Sequence, residues 1–468
     1  MKTTLLYAVA LCTVFISLQA QTPCEDNLAN GFPCEGYDLQ SRISSAQMGA
    51  SAANDSWGWT DPETGIEYAL VGVNNGTAFI NIEDPANPLY LGKLPTHTSS
   101  SVWRDLKVYL NYAFVVSEAG GHGMQVFDLT RLRGVTTAQT FTEDAHYDGF
   151  GKAHNIVINT DTGYAYGVGT QTFNGGPHFV NIQDPLNPIG EGGYPDNAYS
   201  HDAQVVTYSG PDTDYTGREI LIGSNVNEIA IVDITDKANP IEISTIGYSN
   251  IGYTHQGWFT EDQRYFLLGD ETDELRFGFK TRTIVFDFND LDNPELHFEY
   301  EGTNTSTDHN GYVVGNKFYL ASYRAGMRVI DISDIANENI EEIGYFDTFP
   351  PNDNVGTSAL WNVYPFFESG NIVLSGDSGF TLVRDPDFLG IEDESIRTDL
   401  SVYPNPATTV LNLKSTEPLG NINIYNILGQ EILQLTSQEN QKRINTSDLP
   451  SGVYFVQVGT ETQRLIIK

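Results

Sequence analysis

Apolar and polar residues alternate through most of this chain in short runs, broken by turn residues rather than by helical spacing. The clearest run is Ile229-Ala230-Ile231-Val232-Asp233-Ile234, followed by Thr235-Asp236-Lys237-Ala238-Asn239-Pro240 and a second alternating run from Ile241 to Tyr248. Period-two alternation, an Asp/Asn/Pro turn and more alternation predict strand, tight turn, strand. The same pattern recurs at Ala78 to Leu94, His178 to Tyr194, Thr283 to Tyr300 and Met327 to Phe346. Met124 to Gly134 is a degenerate copy and Phe380 to Asp385 a truncated one.

Upstream of each copy lies an opening segment. These segments align as Ser56-Trp57-Gly58-Trp59, Val102-Trp103-Arg104-Asp105, Ala153-His154-Asn155-Ile156, Ser200-His201-Asp202-Ala203, Thr254-His255-Gln256-Gly257, Asp308-His309-Asn310-Gly311 and Leu360-Trp361-Asn362-Val363. Spacings of about fifty residues in an all-strand pattern point to propeller blades. One unit reads fully as four strands: His201 to Tyr208, Glu219 to Gly223, Glu228 to Ile234 and Ile241 to Tyr248. A lone blade cannot bury its faces, so neighbours must stack. The seventh unit lacks a clear fourth strand, and the segment around Leu39 to Ile43 is expected to supply it and close the ring. The predicted fold is all-β: a seven-bladed β-propeller, with six or eight blades as the alternatives, and a small C-terminal β-sandwich.

The expected organisation is a secretory signal over 1–20, a Cys-bearing segment with the closing strand over 21–48, the propeller over 49–388, a polar linker over 389–398 and the sandwich over 399–468. Lys2, the apolar run Leu5 to Ile16 and small Ala20 make the signal. That run is short for a membrane span, and no later stretch of the mature chain could cross a bilayer. Export makes a disulfide the natural reading of Cys24 and Cys34.

Composition sharpens this picture in one respect. Twenty-four Lys and Arg face 61 Asp and Glu, a formal net charge of −37. Such a surface repels nucleic acid and anionic lipid. Gly 44 and Pro 21 suit a chain rich in turns.

The candidate chemistry lies in the opening segments. His154, His201, His255 and His309 recur at one position in consecutive units, so their imidazoles are expected at one mouth of the central channel. Loops at that mouth add Glu118, His122, Asp270, Glu271, Arg324 and Asp377. Imidazole suits zinc, copper and iron, with carboxylates completing or orienting the site. Glu118 or Asp270 would then orient a ligand or act as base, and Arg324 would hold an anion. The competing reading is structural: a polar residue at a fixed blade position bonds the neighbouring blade, and Trp57, Trp103 and Trp361 at the aligned place argue for packing. Convergence of the ring nitrogens favours metal; bonds from each ring to its neighbour favour packing. Trp57, Trp59, Trp103, Trp361, Tyr253 and Tyr323 are aromatics for the mouth or for the core. Gly376-Asp377-Ser378-Gly379 spells a serine-protease-like sequence in a predicted hairpin loop, where that chemistry does not transfer. Asp212 to Gly217 is a plain turn with only a loose likeness to a calcium loop.

Two regions resemble known families. Val402-Tyr403-Pro404-Asn405-Pro406, Ile424-Tyr425-Asn426 with Leu428-Gly429, Leu449 to Phe455 and the closing Arg464 to Lys468 resemble the type A sorting domain of the type IX secretion system of Bacteroidetes. The resemblance implies that residues 399–468 engage that machinery, and that the mature protein reaches the outer-membrane surface or the extracellular space. The strand Ile229 to Ile234 is similar to the LVIVD repeat, and Cys24 to Cys34 followed by Tyr37-Asp38-Leu39 resembles the start of the "choice-of-anchor B" exported propellers. The leading expectation is therefore an exported module that binds a protein or glycan partner. The alternative is a metal-dependent oxidase or hydrolase, with a transition metal on the four axial histidines.

Overall fold

The computed structural model describes residues 21–388 apart from 198 and 387, and 401–467 apart from 404–406, 416–417, 427–429, 448, 451 and 459–460. The signal over 1–20, the linker over 389–398 and the motif residues Pro404 to Pro406, Leu428, Gly429 and Ser451 lie outside these. The chain divides into two compact units, one ending at Phe388 and one beginning at Leu389.

The first unit is a β-propeller. Its described residues form seven sheets, each built on consecutive antiparallel neighbours. The fourth is representative: Asp202–Thr207, Glu219–Ser224, Ile229–Asp233 and Ile241–Ile246 in spatial order. Its third strand is buried at every position and its fourth lies at the half-exposed rim. That gradient explains the sequence: Ile229 to Ile234 is nearly continuous in apolar residues because neighbouring sheets cover both faces. The first strand of each sheet packs beside the first strand of the next, and Leu360–Tyr364 packs beside Ala53–Thr60, which closes the ring.

The closing strand is where the sequence places it. Asp38–Ser44 pairs antiparallel with Gly379–Arg384 as the outer strand of the last sheet. Just before it, Cys24 and Cys34 form a disulfide, and Phe32–Glu35 adds to the rim of the sixth sheet through Cys34 opposite Phe346. The second sheet departs from the repeat, as its degenerate sequence implies. Its outer strand is Ala145–Tyr147, reached only after a 3-10 turn (Leu129–Leu132) and a strand (Gln139–Thr140) that pairs parallel with the first sheet. That parallel contact requires Gly92, whose φ is +117° and whose missing Cβ would lie 1.9 Å from the Gln139 carbonyl.

The second unit is a small two-sheet β structure. One sheet orders Ser401–Tyr403, Val410–Lys414 and Gln441–Asn445; the other orders Glu431–Ser437, Gly420–Asn426, Gly452–Val458 and Glu461–Ile467. Leu411, Leu413, Ile422, Ile424, Ile444, Val456 and Leu465 form its core.

Candidate metal centre at the channel mouth

The innermost strands stack three layers of side chains into the channel. Deepest is an aromatic floor. Trp57 packs on Tyr364, Phe366 and Tyr312 with ring centroids 5.1, 5.8 and 6.0 Å away, and Trp258 packs on Tyr312 at 4.9 Å. This corrects the placing of Trp57 at the mouth beside the histidines. A β-bulge between Ala53 and Ser56 absorbs extra residues, so Ser56 stands opposite Val71 much as Gly311 stands opposite Leu320. Asn54 thus takes the place of His309, while Trp57 matches Tyr312, about 10 Å further along the strand. Trp59 is not at the mouth either; it is buried against Tyr68.

Above the floor lies a polar layer. Lys107 donates to Asp105 at 2.6 Å and sits 4.7 Å over the Trp57 ring. Asn310 donates to Asp55 and to Asn362, and Asn362 in turn donates to the Ser56 carbonyl. Gln256 exchanges two hydrogen bonds with the Gly311 backbone. Burial, then the Asp105 charge, raises the Asp55 carboxyl well above its ordinary range and pushes Asp202 up to about 7. Burial opposes the charge on Lys107, but Asp105 and Asp55 outweigh it and leave the ammonium held more tightly than usual.

The top layer is the histidine staircase. Ring centroids are 4.1 Å apart between His154 and His201, 4.4 Å between His201 and His255, and 4.4 Å between His255 and His309. Trp361 continues the row 4.6 Å from His309. The four rings therefore do occupy one position in four consecutive sheets. Their Nδ1 atoms differ in partner. His201 Nδ1 donates to the His255 carbonyl at 3.3 Å and His309 Nδ1 to the Trp361 carbonyl at 2.6 Å. A carbonyl can only accept, so the proton sits on Nδ1 in both rings and Nε2 carries a lone pair. His154 Nδ1 meets Glu118 at 2.6 Å, and this bond holds the Glu118 carboxyl below its ordinary range. His255 Nδ1 is buried with no partner among the described residues.

Burial keeps the inner rings neutral. It takes His201 well below its ordinary pKa, with His154 adding to the effect. His255 falls to about 3 through burial and then His154; His309 falls to about 3 through burial and then His255. Ligand atoms of His201, His255 and Glu271 lie within 4.8 Å of one another. Glu271 Oε2 is 3.9 Å from His255 Nε2, and its other oxygen accepts from the Tyr323 hydroxyl at 2.7 Å. Glu271 was one of several mouth residues in the sequence. Only the loop after Tyr265–Asp270 brings it, rather than Asp270, to the rings.

Asp270 faces away and is already saturated. It accepts from the Gly252 and Tyr253 backbone N–H groups at 2.7 and 2.5 Å, from the Tyr248 hydroxyl at 2.8 Å and from Thr272 N–H. Arg324 donates to Ser358 and to the Val355 carbonyl. His122 is buried beside Arg104, whose guanidinium donates to its Nε2 at 3.0 Å. Asp377 accepts from Ala359 N–H, and Gly376 to Gly379 is the tight turn of a hairpin. Asp212 accepts from the Asp214 and Leu291 backbones, the work of a turn cap. Trp103 stands exposed on the rim, at 46% of its full surface.

Comparison with known proteins bears chiefly on the tail. Residues 401–468 match the family model of the secretion system C-terminal sorting domain. The chain is thus exported to the cell surface or the extracellular space by type IX secretion, and no helix among its described residues is long and apolar enough to cross a membrane. A search of curated protein sequences finds no match. Among solved structures, the chain is similar to PorZ of Porphyromonas gingivalis, an essential bacterial surface component of the type-IX secretion system. Identity is 12% and TM-score 0.44, over 86% of this chain and 58% of PorZ, so the chain spans less than two thirds of PorZ's length. It is also similar to the Cps50 (Swd1) β-propeller domain of Myceliophteria thermophila (10% identity, TM-score 0.47, 75% and 99% covered) and to Kuenenia stuttgartiensis hydrazine synthase (10%, 0.49, 68% and 92%).

Proposed function

We propose that the exported chain is a seven-bladed propeller that holds a divalent transition-metal ion at its channel mouth, on His201, His255 and Glu271, with His154 and His309 flanking. The observation that carries this reading is the convergence of ligand atoms of His201, His255 and Glu271 within 4.8 Å of one another. In His201 and His309 the bond to the neighbouring strand uses Nδ1, fixes the tautomer and leaves Nε2 as a lone-pair donor, as imidazole ligands of metals require, while His255 turns its Nε2 to within 3.9 Å of Glu271. Packing between blades and metal binding are therefore compatible roles for these rings. Two imidazoles and one carboxylate suit zinc, copper or iron better than calcium or magnesium. The repeat strand Ile229–Asp233 and the Cys24–Cys34 segment support a place among the LVIVD-repeat propellers of the choice-of-anchor B group.

The test is elemental analysis of the mature protein supplied with zinc, copper and iron in turn, beside His201→Ala and His255→Ala. Near-stoichiometric metal, lost in both variants, is expected. A metal-free parent protein, with variants that only lose stability, would leave the histidines as packing residues. A second reading, a docking face for a protein or glycan partner, is supported by exposed Val102, Trp103, Leu275 and Phe277 on loops of the mouth side.

A further inference from the structure

The innermost strands Asn155–Asn159, Asp202–Thr207 and Thr254–Phe259 begin at the histidine mouth, so their last residues lie at the opposite end of the channel. There Asn159, Asp161, Gln204, Thr207, Trp258 and Gln263 line a cleft of about 220 Å³. Past Asp161 and Thr207 it continues into a second hollow of about 370 Å³, which runs outward between the third and fourth sheets to Tyr164 and Gln183.

The walls are fixed by bonds that leave polar atoms for the cleft. Asn159 is buried. Its amide donates to Glu219 at 2.9 Å and to the Thr207 hydroxyl at 3.3 Å, and its carbonyl oxygen accepts from Asp161 N–H at 3.1 Å. Gln263 accepts from Ser209 N–H at 2.7 Å and donates to the Thr207 carbonyl at 3.4 Å. The Thr207 hydroxyl is thus an acceptor within the wall, and its own proton is left for the cleft. Gln204 is 8% exposed, and its Oε1 accepts from Phe259 N–H at 2.9 Å. Its Nε2 has no partner among the described residues. A nearly buried amide is costly to leave unbonded, so its two N–H groups call for an acceptor inside the cleft.

Trp258 supplies apolar surface. It packs edge-on against Tyr312 at 4.9 Å and is only half-buried, so part of the indole meets the cleft. Charge along the groove is small. Lys237 is bound to Glu219 at 2.6 Å, which leaves Asp161 as the unpaired charge among the described lining residues. An aromatic ring beside amide, hydroxyl and a single carboxylate matches a sugar ring, whose C–H face packs on aromatics and whose hydroxyls both donate and accept. An anionic ligand would meet Asp161 and the net charge of −37.

We propose that this cleft binds a neutral saccharide, with a sugar ring against Trp258 and its hydroxyls bonded to Gln204, Thr207 and Asp161. The second hollow carries the chain on past Tyr164, so an oligosaccharide fits better than a single sugar. The site lies at the far end of the channel from the histidines and stands whether or not they hold a metal.

The experiment is calorimetric titration of the full-length protein with cellohexaose, mannohexaose, xylohexaose and maltohexaose, with tryptophan fluorescence as the second readout. At least one of them should bind and change the fluorescence. Trp258→Phe, which keeps a ring on Tyr312, and Thr207→Val should each weaken that binding by about tenfold or more. Trp103→Ala, on the mouth side, should leave it intact. Thr207→Val keeps the size of the side chain, so it decides the matter even if Trp258→Phe disturbs the aromatic floor. Binding of none of the four, binding that survives both cleft variants, or binding lost in Trp103→Ala would overturn the assignment.

Discussion

His178 lies outside the channel, on the third strand of its sheet. It is buried, its Nε2 meets the Tyr147 hydroxyl at 2.8 Å and its Nδ1 the Thr172 hydroxyl at 2.8 Å. Burial lowers its pKa to about 4, against an ordinary 6.5. Between those values the unfolded chain binds the proton and the folded chain does not, so stability rises with pH across the window and falls as acid is added. Relative to His178→Gln, the parent protein should lose about 1.4 kcal/mol per pH unit as pH falls from 6 towards 4. Urea titrations of both proteins across that range check this; a pH-independent difference would mean that the ring titrates normally. At the same scale, the recurrence of His154, His201, His255 and His309 was legible in the sequence. The saturation of Asp270 and the approach of Glu271 were not. Which of two adjacent acidic residues turns inward is set by backbone donors from Gly252 and Tyr253, far enough away in sequence to leave no local signal.

The strand is the element this chain repeats, and its register decides what lies in the channel. Alternation revealed the strands, but the bulges after Ala53, Thr254, Asp308 and Leu360 do not disturb alternation enough to be read, and one misplaced bulge moved Trp57 from the aromatic floor to the mouth. Gln441–Asn445 carries no such signal in the sequence, because it is polar and buries only Ile444 and part of Lys442. The closing strand was legible because the last repeat lacked a partner. Its anchor, the Cys24–Cys34 bond, spans ten residues. Replacing both cysteines by serine should cost about 2–3 kcal/mol, the loop entropy restored to the unfolded chain, measured as a lowered urea midpoint. An unchanged midpoint would mean that Asp38–Ser44 alone fastens the ring.

For the molecule as a whole, the tail and the propeller separate in role. The two compact units each have their own core. Deleting residues 401–468 should leave the precursor inside the cell while the propeller keeps its thermal midpoint within a degree or two. Fractionation and calorimetry report the two outcomes separately, and a truncated chain recovered outside the cell would contradict the sorting role of the tail.

Taken alone, the sequence determined the all-β class, the repeated blade, the ring closure, the disulfide and the sorting tail. The class, the blade and the ring closure follow from alternation, turn residues and spacing, which are local or periodic properties; the disulfide follows from two cysteines in an exported chain, and the tail from the resemblance of its motifs to a sorting domain. The tertiary structure decided the three layers of the channel and the choice of Glu271 over Asp270. Each of these depends on how neighbouring sheets meet, and contacts between strands some fifty residues apart are set by bulges and burial that no short window of sequence contains.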